Sequence, residues 1–244
     1  MADDLATSFG SIARAYDRLR PAPPAAAIAW VVPAGCTVAV DLAAGTGLFT
    51  RALAAAVPEV VGVEPDARMR EVFLERSPGL RVLEGTGEAI PLPDASADLV
   101  TVSSAWHWMD ADRALPEIAR VLRPGGRFAV ARTGRDRHVG WTQELQRLRR
   151  SVERRRPRSH EVVLPEGTPF GPPEYAEFTT VRRMPVDDVL ASLATYSGAI
   201  TADPDDRAAW LAAARGVLER HFPGAAEIDV PLRSEITRTD LRAQ

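Results

Sequence analysis

The stretch Val38-Ala39-Val40-Asp41-Leu42-Ala43-Ala44-Gly45-Thr46-Gly47 decides how the rest of the chain is read. Its first half, VAVDL, is a short β-rich run, its second half is a glycine turn, and the apolar segment Leu48–Ala56 that follows has the length of a helix packed on a sheet. Strand, glycine turn and helix in immediate succession open a βα unit. The same rhythm continues downstream. Val60–Glu64 (VVGVE) reads as a second strand, followed by the helical stretch Ala67–Arg76. Leu80–Leu83 reads as a third strand, Leu99–Ser103 (LVTVS) as a fourth and Arg127–Arg132 (RFAVAR) as a fifth. Before the fifth lies a helix over Asp112–Leu122, closed by Pro124-Gly125-Gly126, which reads as helix stop and turn in one. Apolar runs that lack period-2 polarity and alternate with helices predict a doubly wound α/β fold, with a parallel sheet covered on both faces.

After Arg132 the rhythm changes. Residues 133–175 hold a strongly basic helical stretch, Thr142–Arg156, and then a proline-rich passage, PEGTPFGPPE, that suits neither a helix nor a central strand. This segment reads as a small helical cap inserted over the sheet. Glu177–Met184 regains strand character, Asp187–Tyr196 and Asp205–Phe222 read as helices, and Ile228–Arg238 reads as a last strand. The 244 residues, 45% hydrophobic and 26% charged, suit one globular domain over residues 1–244.

Charge and cysteine content exclude several classes. The net charge of −3 gives no overall pull toward nucleic acid or acidic membranes. Every one of the 30 basic residues is Arg, so arginine abundance by itself is poor evidence for phosphate binding. A single cysteine, Cys36, forms no internal bridge and offers no metal cluster. No run reaches the roughly 18–20 apolar residues of a membrane span, and the acidic opening MADDLATSFG is unlike a signal peptide, which points to the cytoplasm.

Ligands of open α/β sheets bind at the carboxyl ends of the strands, where strand order reverses. Glycine at positions 45 and 47 lets the backbone approach a ligand, and the following helix start offers unpaired N–H donors. Glu64, 17 positions beyond Gly47 at the end of the next strand, is an acid placed to accept both hydroxyls of a ribose. Together they predict an adenosine-type cofactor. A dinucleotide is disfavoured, because G-x-G-x-x-G would need a small third residue where Thr50 stands, and Asp41 would repel a pyrophosphate. Asp41 instead suits a ligand with a positive ammonium group. The plainer alternative, a tight βα connection with no ligand, stays open on a lone G-x-G.

Five blocks in order, DLAAGTG (41–47), VGVEPDARM (61–69), EGTGEAIPLPDASADLV (84–100), SAWHWMD (104–110) and VLRPGGRFAV (121–130), resemble the class I S-adenosylmethionine-dependent methyltransferases. The likeness is to their small-molecule branch, methyltransferase type 11, typified by ubiquinone-biosynthesis and trans-aconitate enzymes. FGSIARAYDRLRP (9–21) resembles the N-terminal lid of that family, assigned to residues 9–30, and LATYSGA (193–199) resembles the trans-aconitate subgroup. The resemblance implies a Rossmann-like sheet of seven strands, mostly parallel, with a C-terminal antiparallel strand. It implies a cofactor-binding core over 36–132 and C-terminal strands and helices over 176–244.

The resemblance also implies roles. S-adenosyl-L-methionine would be the cofactor and S-adenosyl-L-homocysteine the product. Gly45 and Gly47 would face the methionine moiety, with Asp41 at its ammonium group directly or through water, Glu64 would hold the ribose, and Ala43, Pro65 and Met69 would belong to the same cofactor site; Ala43 stands where many relatives carry glycine. Thr86, Gly87 and Glu88 would meet adenine, Thr86 replacing a more usual Asp. Ser103, Ser104 and Ala105 would face the sulfonium and amino-acid portion, and Tyr16 and Arg20 would close over the methionine carboxylate. His107, just past the fourth strand, is the candidate base, flanked by Trp106 and Trp108 as candidate substrate walls.

Seven arginines over Arg147–Arg158 would attract an acidic acceptor or simply form a solvated helix face. The expected activity is methyl transfer to a carboxylate or hydroxyl oxygen of a small molecule, by a monomer or homodimer without nucleic-acid or membrane partners. An N- or C-methyltransferase, an RNA methyltransferase and a non-catalytic S-adenosylmethionine-binding protein stay open as alternatives.

Overall fold

In the computed structural model, residues 12–152, 164–200 and 202–242 are described. Seven strands form one sheet: β1 (Val38–Leu42), β2 (Glu59–Val63), β3 (Arg81–Leu83), β4 (Ala97–Ser103), β5 (Leu122–Arg135), β6 (Glu174–Pro185) and β7 (Glu227–Asp240), in the order β3-β2-β1-β4-β5-β7-β6. The β1–β2, β1–β4, β2–β3 and β4–β5 pairs are parallel. The sheet is mostly parallel, with antiparallel C-terminal strands.

The helices are α1 (Ala13–Leu19), α2 (Ala25–Val31), α3 (Leu48–Ala54), α4 (Ala67–Arg76), α5 (Ala111–Val121), α6 (Gly140–Val152), α7 (Val186–Leu193), α8 (Ser197–Ile200) and α9 (Pro204–His221), with a 3₁₀ turn at Trp106–Trp108. By contact density the chain divides into two compact units. Of the described residues, one unit takes 22–133, 164–178 and 234–242, and the other takes 12–21, 134–152, 179–200 and 202–233.

In the first unit, side chains that alternate along each strand go to opposite faces of the sheet. Val40, Leu42, Val100, Val102, Phe128 and Val130 pack with Ala114, Leu115, Ile118 and Val121 of α5. Their strand neighbours Ala39, Leu99, Ala129 and Ala131 pack on the other face with Ile28 and Val31 of α2 and Phe49 and Leu53 of α3. Both faces are covered, which is why these strands carry continuous apolar runs. Helix starts follow local chemistry: the Asp66 and Asp110 carboxylates accept the backbone N–H of Arg68 and Asp112 and so cap α4 and α5.

One sequence expectation needs correction here. Pro124-Gly125-Gly126 is not a turn ahead of the fifth strand but part of β5. The strand begins at Leu122, opposite Ala97, and resumes regular pairing at Arg127 opposite Leu99, so the proline and glycines form a bulge in which Gly125 adopts φ +77°. The Asp98 carboxylate beside the bulge is held by the backbone N–H groups of Thr37 and Val38 and by Arg123.

The helix expected in the insertion over 133–175 is α6, which lies in the second unit. Trp141 and Leu145 of α6 pack with Val189 and Leu193 of α7 and with Trp210, Ala214, Val217 and Leu218 of α9. Most of the arginine run at 147–158 lies outside the described residues. Among the described residues, no helix is long and apolar enough to cross a membrane.

Candidate functional site

The carboxyl ends of β1, β2, β3 and β4 lie side by side in the first unit, and each delivers one loop. The β1 loop is the glycine turn. Ala43, Gly45 and Gly47 all have positive φ, at +50°, +57° and +84°. The two glycines serve different ends. A Cβ at Gly47 would lie 2.7 Å from the Phe73 ring and 2.9 Å from Ser77 Oγ, so this glycine makes room for α4. A Cβ at Gly45 would meet nothing within 4 Å, which leaves the backbone open on that flank.

Ala43 occupies a left-handed conformation that costs an L-residue about 1–2 kcal/mol. Ala43→Gly is therefore expected to stabilise the fold by about 0.5–1 kcal/mol, after the greater freedom of unfolded glycine offsets part of the relief. Thermal unfolding of the variant checks this, through a melting temperature raised by about 1–4 °C.

Glu64 clamps the turn. It is 6% exposed. Its Oε2 accepts the Gly45 N–H at 2.9 Å and its Oε1 accepts the Asp66 N–H at 2.9 Å. Burial raises its pKa above the usual glutamate range, and those two N–H bonds offset part of that shift. A carboxylate offers about four acceptor positions, so two remain for ligand hydroxyls. Pro65 is exposed and Met69 is buried. Arg70 donates to the carbonyls of Glu64 and Pro65 and to the Glu84 carboxylate, which ties the β2 loop to the β3 loop.

Asp41 lies deeper than a direct ligand contact requires. It is 1% exposed, and its Oδ2 accepts from Thr50 Oγ1 at 2.7 Å while its Oδ1 accepts from Thr101 Oγ1 at 3.0 Å. Burial pushes its pKa up to about 7 against the pull of those two hydroxyls, and the neighbouring Glu64 charge pushes the same way. Thr50 and Thr101 had no place among the expected site residues. The cue is a hydroxyl, Thr101, flanked by valines in the run LVTVS, but pairing it with Asp41 requires the register that sets Asp41 opposite Thr101.

Thr86, Gly87 and Glu88 form a tight turn closed by paired backbone bonds between Thr86 and Ala89. The Glu88 carboxylate accepts the Asp110 N–H at 2.8 Å, and the Met109 side chain fills the space where Gly87 lacks a Cβ. At the end of β4, Ser103 and Ala105 are half-buried, and Ser104 takes φ +58° while its N–H donates to the Ala131 carbonyl at 2.8 Å. His107 and Trp108 follow in the 3₁₀ turn, half-buried, with ring centroids 4.7 Å apart. Trp106 does not stand as a substrate wall. It is 6% exposed and packs on Phe128 at 5.3 Å between centroids, because its large apolar ring completes the core under the loop.

The first unit thus brings together Asp41, Ala43, Gly45, Gly47, the Glu64 loop, residues 86–88 and residues 103–108. Tyr16 and Arg20 belong to the second unit. There the Arg20 guanidinium lies over the Tyr16 ring at 5.0 Å and the Tyr196 ring at 4.1 Å, and its Nη2 donates to the Thr195 carbonyl at 3.2 Å.

Comparison with known proteins places this geometry. Residues 40–130 match the family model described as a methyltransferase domain. An uncharacterized methyltransferase of Mycobacterium tuberculosis is 43% identical over 185 residues, which is 75% of this chain and 71% of the relative. A malonyl-[acyl-carrier protein] O-methyltransferase of Methylococcus capsulatus is 40% identical over 100 residues, 38% of this chain and 36% of that protein. Among solved structures, a chain from Anaeromyxobacter dehalogenans, proposed as a type II methyltransferase, superposes with a TM-score of 0.68 at 29% identity, covering 92% of this chain and 99% of that one. With the strand order and the glycine turn at the end of β1, these likenesses show that the chain belongs to the class I S-adenosylmethionine-dependent methyltransferases.

Proposed function

We propose that the chain transfers the methyl group of S-adenosylmethionine to a carboxylate or hydroxyl oxygen of a small molecule, with the donor held over the glycine turn at the ends of β1 and β2. The observation that carries the placement is the pairing of an open backbone flank at Gly45 with a buried carboxylate, Glu64, that keeps two acceptor positions. A ribose diol needs two such positions. The residues therefore fit the cofactor.

When bound, S-adenosylmethionine supplies an electrophilic methyl carbon on a sulfonium sulfur. The chain's own contribution is alignment and exclusion of water, because a displacement that disperses charge gains most from fixed geometry. Gly45 presents bare main chain, Glu64 accepts from the ribose, and the 86–88 turn, pinned by Glu88 to the start of α5, forms the adenine side. Oxygen as the acceptor atom is favoured by the likeness to the Methylococcus O-methyltransferase.

His107 is the proposed base for an acceptor that must lose a proton. His107→Ala is expected to lower turnover on a hydroxyl acceptor by about 10²–10⁴-fold. Donor affinity should stay within about twofold, since the imidazole acts on the acceptor. Single-turnover kinetics alongside donor titration separate the two effects. A fall in donor affinity alone would reduce His107 to a loop residue.

The test of the whole reading is transfer of labelled methyl from the donor across panels of carboxylic acids, alcohols and phenols, amines and RNA. Label appearing in an ester or ether supports it. Label confined to amines or RNA overturns the acceptor class, and donor binding with no labelled product on any panel identifies a binding protein.

A further inference from the structure

Asp41 and Glu64 are buried carboxylates that end neighbouring strands, yet they are held by different kinds of donor. Glu64 is gripped by two backbone N–H groups. Such groups can only donate, so they serve the anion. Asp41 is gripped by two hydroxyls. A hydroxyl can donate to a carboxylate or accept from a carboxylic acid by rotating. Thr101 has a built-in alternative for its proton: its Oγ1 lies 3.3 Å from the Val40 carbonyl as well as 3.0 Å from Asp41. When Asp41 carries a proton and donates it to Thr101, the Thr101 hydroxyl can turn to Val40. Every polar atom is satisfied in both states.

No cation compensates Asp41 among the described residues. From α3 it meets Thr50, and the Arg51 guanidinium on that helix donates to the Thr46 carbonyl and to Ser77 Oγ. From β4 it meets Thr101 between the apolar Val100 and Val102. From β2 the charged neighbour is Glu64, whose own arginine, Arg70, is bonded to backbone carbonyls and to Glu84. With Arg70 acting on Glu64 and, among the described residues, no cation acting on Asp41, the two neighbouring buried carboxylates do not both ionise cheaply.

We propose that Asp41 is a positioning residue that gives up a proton when a cationic ligand occupies the site, so that the methyl donor, which adds a sulfonium to the ammonium it shares with its product, releases more of that proton than the uncharged-sulfur product does. Asp41 acts through the glycine turn and the start of α3, which its bonds to Thr50 and Thr101 tie to β1 and β4. The elevated pKa that burial gives it, about 7, makes this proton exchangeable near neutrality. The inference rests on the placement of the donor given under Proposed function.

Titration calorimetry of the full chain, in two buffers of different ionisation enthalpy at pH 6.5, reads the protons directly. S-adenosylmethionine is expected to release a larger fraction of a proton than S-adenosylhomocysteine, with about three quarters of a proton as the upper limit at this pH, and its affinity is expected to rise about tenfold between pH 5.5 and 7.5. Both ligands carry the same amino-acid group, so the difference between them isolates the sulfonium. In Asp41→Asn the difference should vanish and the pH slope should flatten. In Thr101→Val, which keeps the acid but removes one hydroxyl, the release should persist with its midpoint moved to higher pH. Equal release by the two ligands, or an undiminished difference in Asp41→Asn, overturns the inference while leaving the donor site standing. Absence of heat with either ligand in the parent protein overturns both the donor placement and the inference.

Discussion

Gly45→Val is expected to lower donor affinity by at least about 100-fold, whereas Gly47→Ala is expected to act mainly on the fold, at a cost of about 2–4 kcal/mol. Both positions belong to one glycine turn and both have positive φ, so any side chain at either carries backbone strain. What the side chain meets differs. At Gly47 even a single methyl group would sit 2.7 Å from Phe73, a fully buried ring that also fills the hollow at Gly62, so α4 has no room to retreat. At Gly45 the added atoms point into open space on the flank where the donor is proposed to lie. Gly35→Val is the control. Gly35 has φ +74° and likewise nothing near its Cβ, so its variant carries the strain without touching the turn. Chemical denaturation and donor titration of the three variants should separate cleanly. Parent-like donor affinity in a folded Gly45→Val would remove the donor from this flank.

That contrast shows where the amino-acid sequence is transparent and where it is opaque. The strands β1, β2 and β4 are legible because a strand buried on both faces must be apolar throughout, and β-branched runs such as VVGV have no other comfortable home. The starts of α4 and α5 are legible from Asp66 and Asp110, because a cap is a local interaction. Gly45 and Gly47 look alike in sequence because the reason for Gly47 is the Phe73 ring of a different helix. Pro124-Gly125-Gly126 carries every mark of a turn, and only the partner strand β4, pairing at both ends of the segment, makes it a bulge. The second unit is the least legible. Trp141 and Trp210 share one core although the proline-rich passage and β6 separate them, and nothing local announces a contact of that range. Trp106 was ambiguous for a related reason, since an aromatic residue beside a candidate base looks the same whether it faces a ligand or a core.

Without ligand, the Asp41 contribution to stability is expected to fall as pH rises from about 4 to about 7, the reverse of the usual behaviour of an aspartate. Burial raises the folded-state pKa of Asp41 to about 7, while the unfolded chain releases the same proton near the ordinary value of about 3.9. Between those limits the native state holds a proton that the unfolded state has lost, so the slope of unfolding free energy against pH is negative. Over the whole window the loss amounts to about 4 kcal/mol, and it levels off above pH 7, where both states are ionised. The raised pKa of Glu64 adds a contribution of the same sign. Asp98 and Glu117 act oppositely. Although burial pushes upward at Asp98, Arg123 and the N–H groups of Thr37 and Val38 hold its pKa well below the usual range, and Arg120 does the same for Glu117. Their stabilisation is present above the ordinary carboxylate pKa and is lost in acid. The two opposed sets put the maximum of stability for the unliganded protein at mildly acid pH, near 5 by order of magnitude. Asp41→Asn removes the titrating proton while leaving an amide that can bond both threonine hydroxyls. It is expected to flatten the alkaline limb and to be more stable than the parent at pH 8, at the expense of donor affinity. Urea unfolding at pH 5, 6.5 and 8 checks it: parallel curves for parent and variant across that range would mean that Asp41 is already ionised in the folded protein throughout, and that its two threonines hold an anion as firmly as backbone amides hold Glu64.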